Sequence, residues 1–293
     1  MANMNLYSRN DRIFVIVNMV LLAIFTISTL YPFIYIASLS FSSGFEARAG
    51  NVVLTPVEAT IEAYKYILAE PMFWISYKNT FIYTIGGTIM SLMFLIPGAY
   101  ALSRPQLYGR RFWNLLVAFT MWFNAGLIPF FLNMRDLGLL DSYFGIIIGF
   151  AVNGFNLILL RNFFEGVPSS FEEAARMDGA NDFQVLRKVY MPLAKPAIAT
   201  VALFCIVSRW NGFFWAMVLL QDDQKIPLQV FLRHTIVTLS DDQEFTATLV
   251  DASYSVETVS AAIIVCSTIP VLIIYPFIQK YFEKGILLGG VKE

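Results

Sequence analysis

The sequence predicts an all-α membrane protein with six transmembrane helices, and three observations carry the prediction. Of its 293 residues 57% are hydrophobic and only 14% charged, with a mean hydropathy of +0.63, whereas a soluble domain carries about 25% charged residues. The apolar residues gather into runs near 13–38, 79–102, 112–133, 143–160, 197–220 and 258–280, each close to the ~20 residues that cross a hydrocarbon core of about 30 Å. The basic residues are unevenly shared between the connections. With both termini inside, thirteen of the 20 lie inside, six outside and Arg209 within a span, which is the asymmetry that holds basic loops in the cytoplasm. The chain then divides into an inner tail 1–12, a membrane domain 13–280 and an inner tail 281–293.

Composition also narrows the chemistry. A net charge of −1 gives no reason to expect nucleic acid. Cys205 and Cys266 both lie inside apolar runs, which fits packing better than a disulfide framework. No catalytic or metal-ligating constellation stands out: the one histidine, His234, lies in a polar loop, and neither a zinc-protease motif nor a G-x4-G-K-[ST] phosphate loop is present. The chain therefore has no phosphate-loop site with which to hydrolyse ATP, and any use of ATP requires a partner. The first apolar run is too long for a signal-peptide core and should be retained.

After the first span, the outer loop reads TPVEATIEAYKYI. Thr55 as cap and Pro56 at the first helical position predict a short helix with Val57, Ile61 and Tyr64 on one face, lying on the outer headgroups. The second span contains Pro97 and Gly98, a pair expected to kink or loosen it. Arg104, Arg110 and Arg111 follow and serve to fix topology. In the third span Asn124 and Pro129 interrupt the apolar run, and Gly126 and Gly138 mark turns or close approaches. Asn153 and Asn156, three apart in the fourth span, share a face. They either line a wet path for a hydroxyl-rich solute or bond to a neighbouring helix.

The loop 161–196 is the longest polar interruption on the basic side. Ser170 and Glu173 predict a capping box, Gly179 a helix stop, and Asp182 the cap of a second helix carrying Phe183, Leu186, Val189 and Tyr190 as far as Pro192. Phe171, Ala174, Ala175 and Asp178 fall on one helical face, a smooth ridge suited to a groove on another protein. In the fifth span, Arg209 sits about 18 Å along from Ala197 at 1.5 Å per residue, deep enough to require a partner or water. Its alternatives are a place on a pathway, pairing with another subunit, or a structural ion pair or snorkel. Trp210, Asn211 and Trp215 accompany it; the tryptophans suit either sugar stacking or an interfacial belt. The outer loop 221–257 is acidic, with Asp222, Asp223, Asp241, Asp242, Glu244, Asp251 and Glu257.

These residues carry a resemblance. Glu173, Ala174, Ala175, Gly179, Val189, Met191 and Pro192 resemble the E-A-A-x3-G-x9-I-x-L-P loop of ABC importer permeases, with valine for isoleucine and methionine for leucine. The stretch GLIP, followed by LGL, resembles the carbohydrate-importing members. The ending at Lys284, Gly285, Gly289, Gly290, Val291 and Lys292 resembles that of the smaller maltose-type subunit, with a final glutamate where glycine is usual. The resemblance implies the type I importer permease fold with a cytoplasmic coupling helix. It also implies a heterodimer with a second permease, and two ATPase subunits that bind ATP and Mg. A soluble binding protein and a sugar, an oligosaccharide such as alginate fragments, complete the expected set of partners. On that reading Glu172, Glu173, Ala174, Ala175, Asp178, Gly179, Met191 and Pro192 couple to the ATPase, with Glu173 pairing a basic group there and Glu172 as fallback. Lys284, Gly289, Gly290, Val291 and Lys292 enter the ATPase interface or else form a frayed tail. Asn124, Asn153, Asn156, Arg209, Trp210 and Asn211 are the candidate translocation path. The competing class is a stand-alone secondary transporter or channel, which explains the spans, Arg209 and the asparagines without partners.

Overall fold

A computed structural model of the chain describes residues 9–241 and 253–290. Asp242, Glu244 and Asp251 of the acidic loop, and Val291 and Lys292 of the tail, lie outside the described residues. Every regular element among the described residues is helical. Three helices are long and apolar enough to cross a membrane by themselves, and the number reaches six if each of three bent helix pairs is one span. The chain forms two compact units, one of residues 1–70 and 234–268, the other of 71–233 and 269–293.

The first unit opens with α1 (Arg9–Ser40), whose apolar side chains from Ile13 to Ile34 are largely exposed. Short helices α2 (Gly44–Arg48) and α3 (Glu62–Ala69) follow. The helix expected from Thr55 starts only at Glu62. The segment before it spends its backbone groups elsewhere: Val57 N–H donates to Ser42 Oγ (3.1 Å), and Ser43 N–H and Thr60 N–H bond to Val57 O and Phe41 O. Glu58 takes a positive φ of 48°, which a helix does not admit.

The second unit is organised around α4 (Pro71–Ser103), which continues through Pro97 without interruption. It packs against α8 (Gly154–Glu165) and α11 (Lys195–Trp210). Toward its C-terminus Leu95, Ala99 and Tyr100 join Leu160, Phe164, Tyr190, Ala197 and Val201 in one core. Toward its N-terminus Tyr83 joins Met134, Ile146, Leu219 and Ile226 in another.

The third, fourth and fifth spans are not the continuous rods expected from run length. Helix α5 (Arg110–Trp122) meets α6 (Leu127–Asp136) at 115° and α7 (Tyr143–Gly149) meets α8 at 51°, while ahead of the fifth span, at the end of the loop 161–196, α10 (Asp182–Leu193) meets α11 at 84°. The breaks in the third and fourth spans have local causes. Asn124 Oδ1 accepts from Gly126 N–H (2.8 Å), and Gly126 holds φ +88°, so a side chain takes the amide that a helix would use. Asn153 likewise caps α8, its Oδ1 accepting from Asn156 N–H (3.1 Å). Beyond Trp210 the chain turns and resumes as α12 (Phe214–Leu219).

Within α10, residues Leu186–Tyr190 form a π-turn. Pro192 lacks the N–H that an α-helix would send back four residues, and its ring crowds that carbonyl; the wider turn relieves both. The helix expected to end at Pro192 therefore runs on to Leu193. Helix α13 (Leu228–Asp241) carries His234, which the sequence placed in a loop, and α14 (Val256–Gly290) continues past residue 280.

Candidate functional site

Two places in the second unit gather the polar residues. The first is a cavity of about 680 Å³ set where α7 gives way to α8 and α11 to α12. Because these spans break, they turn loop backbone and polar side chains inward at the depth where a straight helix would present only apolar surface, an arrangement a membrane tolerates only around a protein-lined cavity. Asn153, Asn156, Ser208, Arg209 and Asn211 line it, together with Phe150, Phe213, Phe214 and Trp215. Asn156 is 7% exposed and donates through Nδ2 to Cys205 Sγ (3.6 Å), while Asn211 Nδ2 donates to Val207 O (3.0 Å).

Among the described residues no carboxylate pairs with Arg209. Its guanidinium donates to Ile146 O (2.7 Å) and Ile147 O (3.1 Å). Those are carbonyls of the last turn of α7, left without helical partners where that helix stops. It also lies 5.8 Å from the centroid of Phe150. Trp210 and Asn124 stand apart from the cavity. Trp210 is 3% exposed and packs edge-on against Tyr77 and Phe81, and Asn124 is spent on its turn.

The second place is the loop 161–196. Helix α9 (Ser169–Met177) begins two residues earlier than the capping box requires, with Pro168 at the cap and no side-chain cap bond. Ser170 is thus already inside the helix, and the predicted box with Glu173 does not form. The reciprocal box is made instead by Asn181 and Gln184, which moves Asp182 to the first helical position. There it accepts from Arg176 (2.6 Å). Gly179 does end the first helix: its φ is +81°, its N–H bonds Arg176 O and that of Ala180 bonds Ala175 O. This is the Schellman pairing, which needs a left-handed residue at that point.

The face of α9 turned to the protein is set by Glu172, which is 7% exposed. Arg176 donates to its Oε1 from Nε (2.9 Å) and from a terminal nitrogen (2.8 Å). Tyr190 Oη donates to Oε2 (2.9 Å), and Arg104 pairs with both Oε2 and the Tyr190 hydroxyl. The Arg104 guanidinium also lies 4.3 Å from the Tyr190 ring centroid and donates to Ser103 Oγ. Burial pushes the Glu172 carboxyl up, but the hydrogen bonds from Arg176 and Tyr190 and the charge of Arg104 outweigh it and hold its pKa below 4.5. Arg104 thus ties the end of α4 to α9 and α10, a role beyond the topological one read from sequence.

The opposite face is open. Phe171, Glu173, Ala174 and Asp178 are exposed, and Met177 is 89% exposed. Ala175 turns inward to the core, so the ridge expected to hold both alanines is divided between two faces. Met191 packs on the same core beside Pro192. Of the tail residues, Lys284, Gly289 and Gly290 lie on the backbone of α14.

Sequence reasoning missed the polar edge of α4. Asn79 Nδ2 donates to Gln224 O (2.8 Å) and Ile226 O (3.1 Å), Tyr83 Oη to Lys225 O (2.8 Å), and Thr80 Oγ1 accepts from Leu228 N–H (2.8 Å). Asp141 accepts from the amides of Gln221 and Asp222 and pairs with Lys225 (2.8 Å). The start of the acidic loop is thereby pinned. The signal was the i, i+4, i+7, i+11 spacing of Ser76, Thr80, Tyr83 and Gly87 in an otherwise apolar helix.

Comparison with known proteins agrees with this architecture. Residues 1–288 match the family described as binding-protein-dependent transport system inner membrane component. The chain is 42% identical, over 92% of its length and 95% of the relative's, to the polygalacturonan/rhamnogalacturonan transport system permease protein YtcP of Bacillus subtilis (strain 168). It is 26% identical, over 91% of its length and 92% of the relative's, to the arabinooligosaccharides transport system permease protein AraQ of the same organism. Among solved structures it resembles a chain of a bacterial ABC transporter involved in the import of the acidic polysaccharide alginate. The TM-score is 0.90 at 61% identity, covering 95% of this chain and 100% of that one.

Proposed function

The chain belongs to the binding-protein-dependent transport system inner membrane components, and from that premise we propose that it is the permease subunit of an ABC importer for acidic oligosaccharides. The single observation that carries the substrate class is the match along nearly the whole chain to an alginate importer, supported by the relative named as a polygalacturonan/rhamnogalacturonan permease.

In this reading both termini and the loop 161–196 are cytoplasmic, which the distribution of basic residues supports. The chain pairs with a second, homologous permease, and each presents its loop to one of two ATPase subunits that bind ATP and Mg. A soluble binding protein delivers the sugar from outside. The cavity lined by Asn153, Asn156, Arg209 and Asn211 is this subunit's share of the path. Closure of the ATPases displaces α9 through its exposed face of Phe171, Glu173, Ala174 and Met177. The anchor formed by Glu172, Arg104, Arg176 and Tyr190 passes that displacement to α4 and α10, and through Met191 and Pro192 to α11. A ligand moves such an equilibrium only by binding its two states unequally; here nucleotide supplies the difference.

The test is uptake of an oligouronate by the assembled complex in proteoliposomes. Import should require ATP on the cytoplasmic side and stop when ATP is withdrawn with the ion gradients held. Uptake that survives ATP withdrawal and follows the gradient would instead favour a stand-alone secondary transporter.

A further inference from the structure

We propose that Arg209 is the residue that selects for negatively charged sugars, by receiving a substrate carboxylate inside the cavity. The inference rests on the reading of that cavity as the path of an acidic oligosaccharide. It is argued from four features of the site.

First, the lining holds one formal charge and it is positive: no aspartate or glutamate lines the cavity, and among the described residues no carboxylate pairs with Arg209. Second, the guanidinium is held in place before any substrate arrives. Ile146 O and Ile147 O accept two of its hydrogen bonds, Phe150 flanks it, and Gly87 makes room for it, since a Cβ there would lie 2.9 Å from its Nε. Two carbonyls engage only part of a side chain with five N–H donors in a planar fork, and Arg209 keeps part of its surface open to the cavity.

Third, capping two carbonyls does not call for a charge. A neutral amide donor would do it without the cost of an ion at this depth, so the charge has a use that the cap does not explain. Fourth, the other polar groups, Asn153, Ser208 and Asn211, both donate and accept. They serve sugar hydroxyls well but distinguish an acid from its neutral ester poorly. A guanidinium makes paired, charge-assisted bonds to a carboxylate and loses them when the acid is esterified.

The experiment uses the assembled importer with its binding protein and a series of oligouronates carrying graded methyl esterification of the carboxyls. Wild-type uptake is expected to fall as esterification rises. Arg209→Gln should lower uptake of the free acid by about tenfold or more, the usual size of a charged hydrogen bond in a buried site, and should flatten the dependence on esterification. Arg209→Lys should retain a weakened dependence.

Parallel curves for the wild type and Arg209→Gln would overturn the inference, because an equal loss for acid and ester marks Arg209 as structural and leaves charge selection to the binding protein or the second permease. A flat wild-type curve would overturn it as well. Failure of the wild type to import any member of the series would instead sink the acidic-substrate reading on which the inference stands.

Discussion

Glu172 and Glu173 are neighbours in sequence and opposites in role. A capping-box pattern makes Glu173 the structurally engaged acid and leaves Glu172 as the spare, but the structure buries Glu172 among Arg104, Arg176 and Tyr190 and exposes Glu173. Sequence alone did not reveal the pairing because Arg104 is far along the chain, and no local period links the two. Removing one partner of a buried pair leaves the other uncompensated, at a cost of about 3–5 kcal/mol. Glu172→Ala should therefore loosen α9 markedly, seen as faster amide exchange across Ser169–Met177. The sign of the pH effect follows from the depressed pKa. The anchor contributes in full above the unfolded carboxylate value near 4.5, and is lost as pH falls through the lower folded value. Acid titration of exchange in α9 should show that loss below about pH 4.5, and Glu172→Gln should abolish it.

Among the elements, the loop helices were the most legible and the spans the least. Gly179 stops α9 as its position in the pattern required, because a Schellman ending demands φ > 0. A Cβ at Gly179 would meet nothing within 4 Å, so Gly179→Ala should cost only the left-handed backbone penalty of about 1–2 kcal/mol. Thermal unfolding of the purified complex should report a small loss and amide exchange a larger local one. A cost near zero would mean the loop relaxes to a right-handed ending. The spans misled because hydropathy counts apolar residues and is blind to a side chain taking a backbone amide. Asn124 and Gly126 were visible as interruptions, but that the chain turns through 115° there depends on the Asn124 bond to Gly126 N–H. The π-turn ahead of Pro192 was hidden in the same way, since proline announces a disruption without saying whether the helix ends or widens.

For the whole molecule, the membrane class and the asymmetry of its loops were plain from composition, because a bilayer forces apolar runs and basic loops on any chain that crosses it. Exposed apolar faces such as that of α1, with Phe14 at 70% and Phe25 at 68% exposed, belong to a chain whose solvent is lipid and partner protein. The cavity was legible only as a list of costly residues. Asn153, Asn156, Arg209 and Asn211 converge, whereas Trp210, next to Arg209, points into the core. The proposed function rests, at this scale, on α9 being held firmly on one face and offering the other to an ATPase. The most direct measurement is disulfide crosslinking of Met177→Cys to cysteines placed in the ATPase cleft of the assembled, transport-competent importer. The account predicts a crosslink from Met177→Cys and a weaker one from the inward-turned Ala175→Cys. No crosslink from Met177→Cys to either ATPase subunit in an active complex would contradict it.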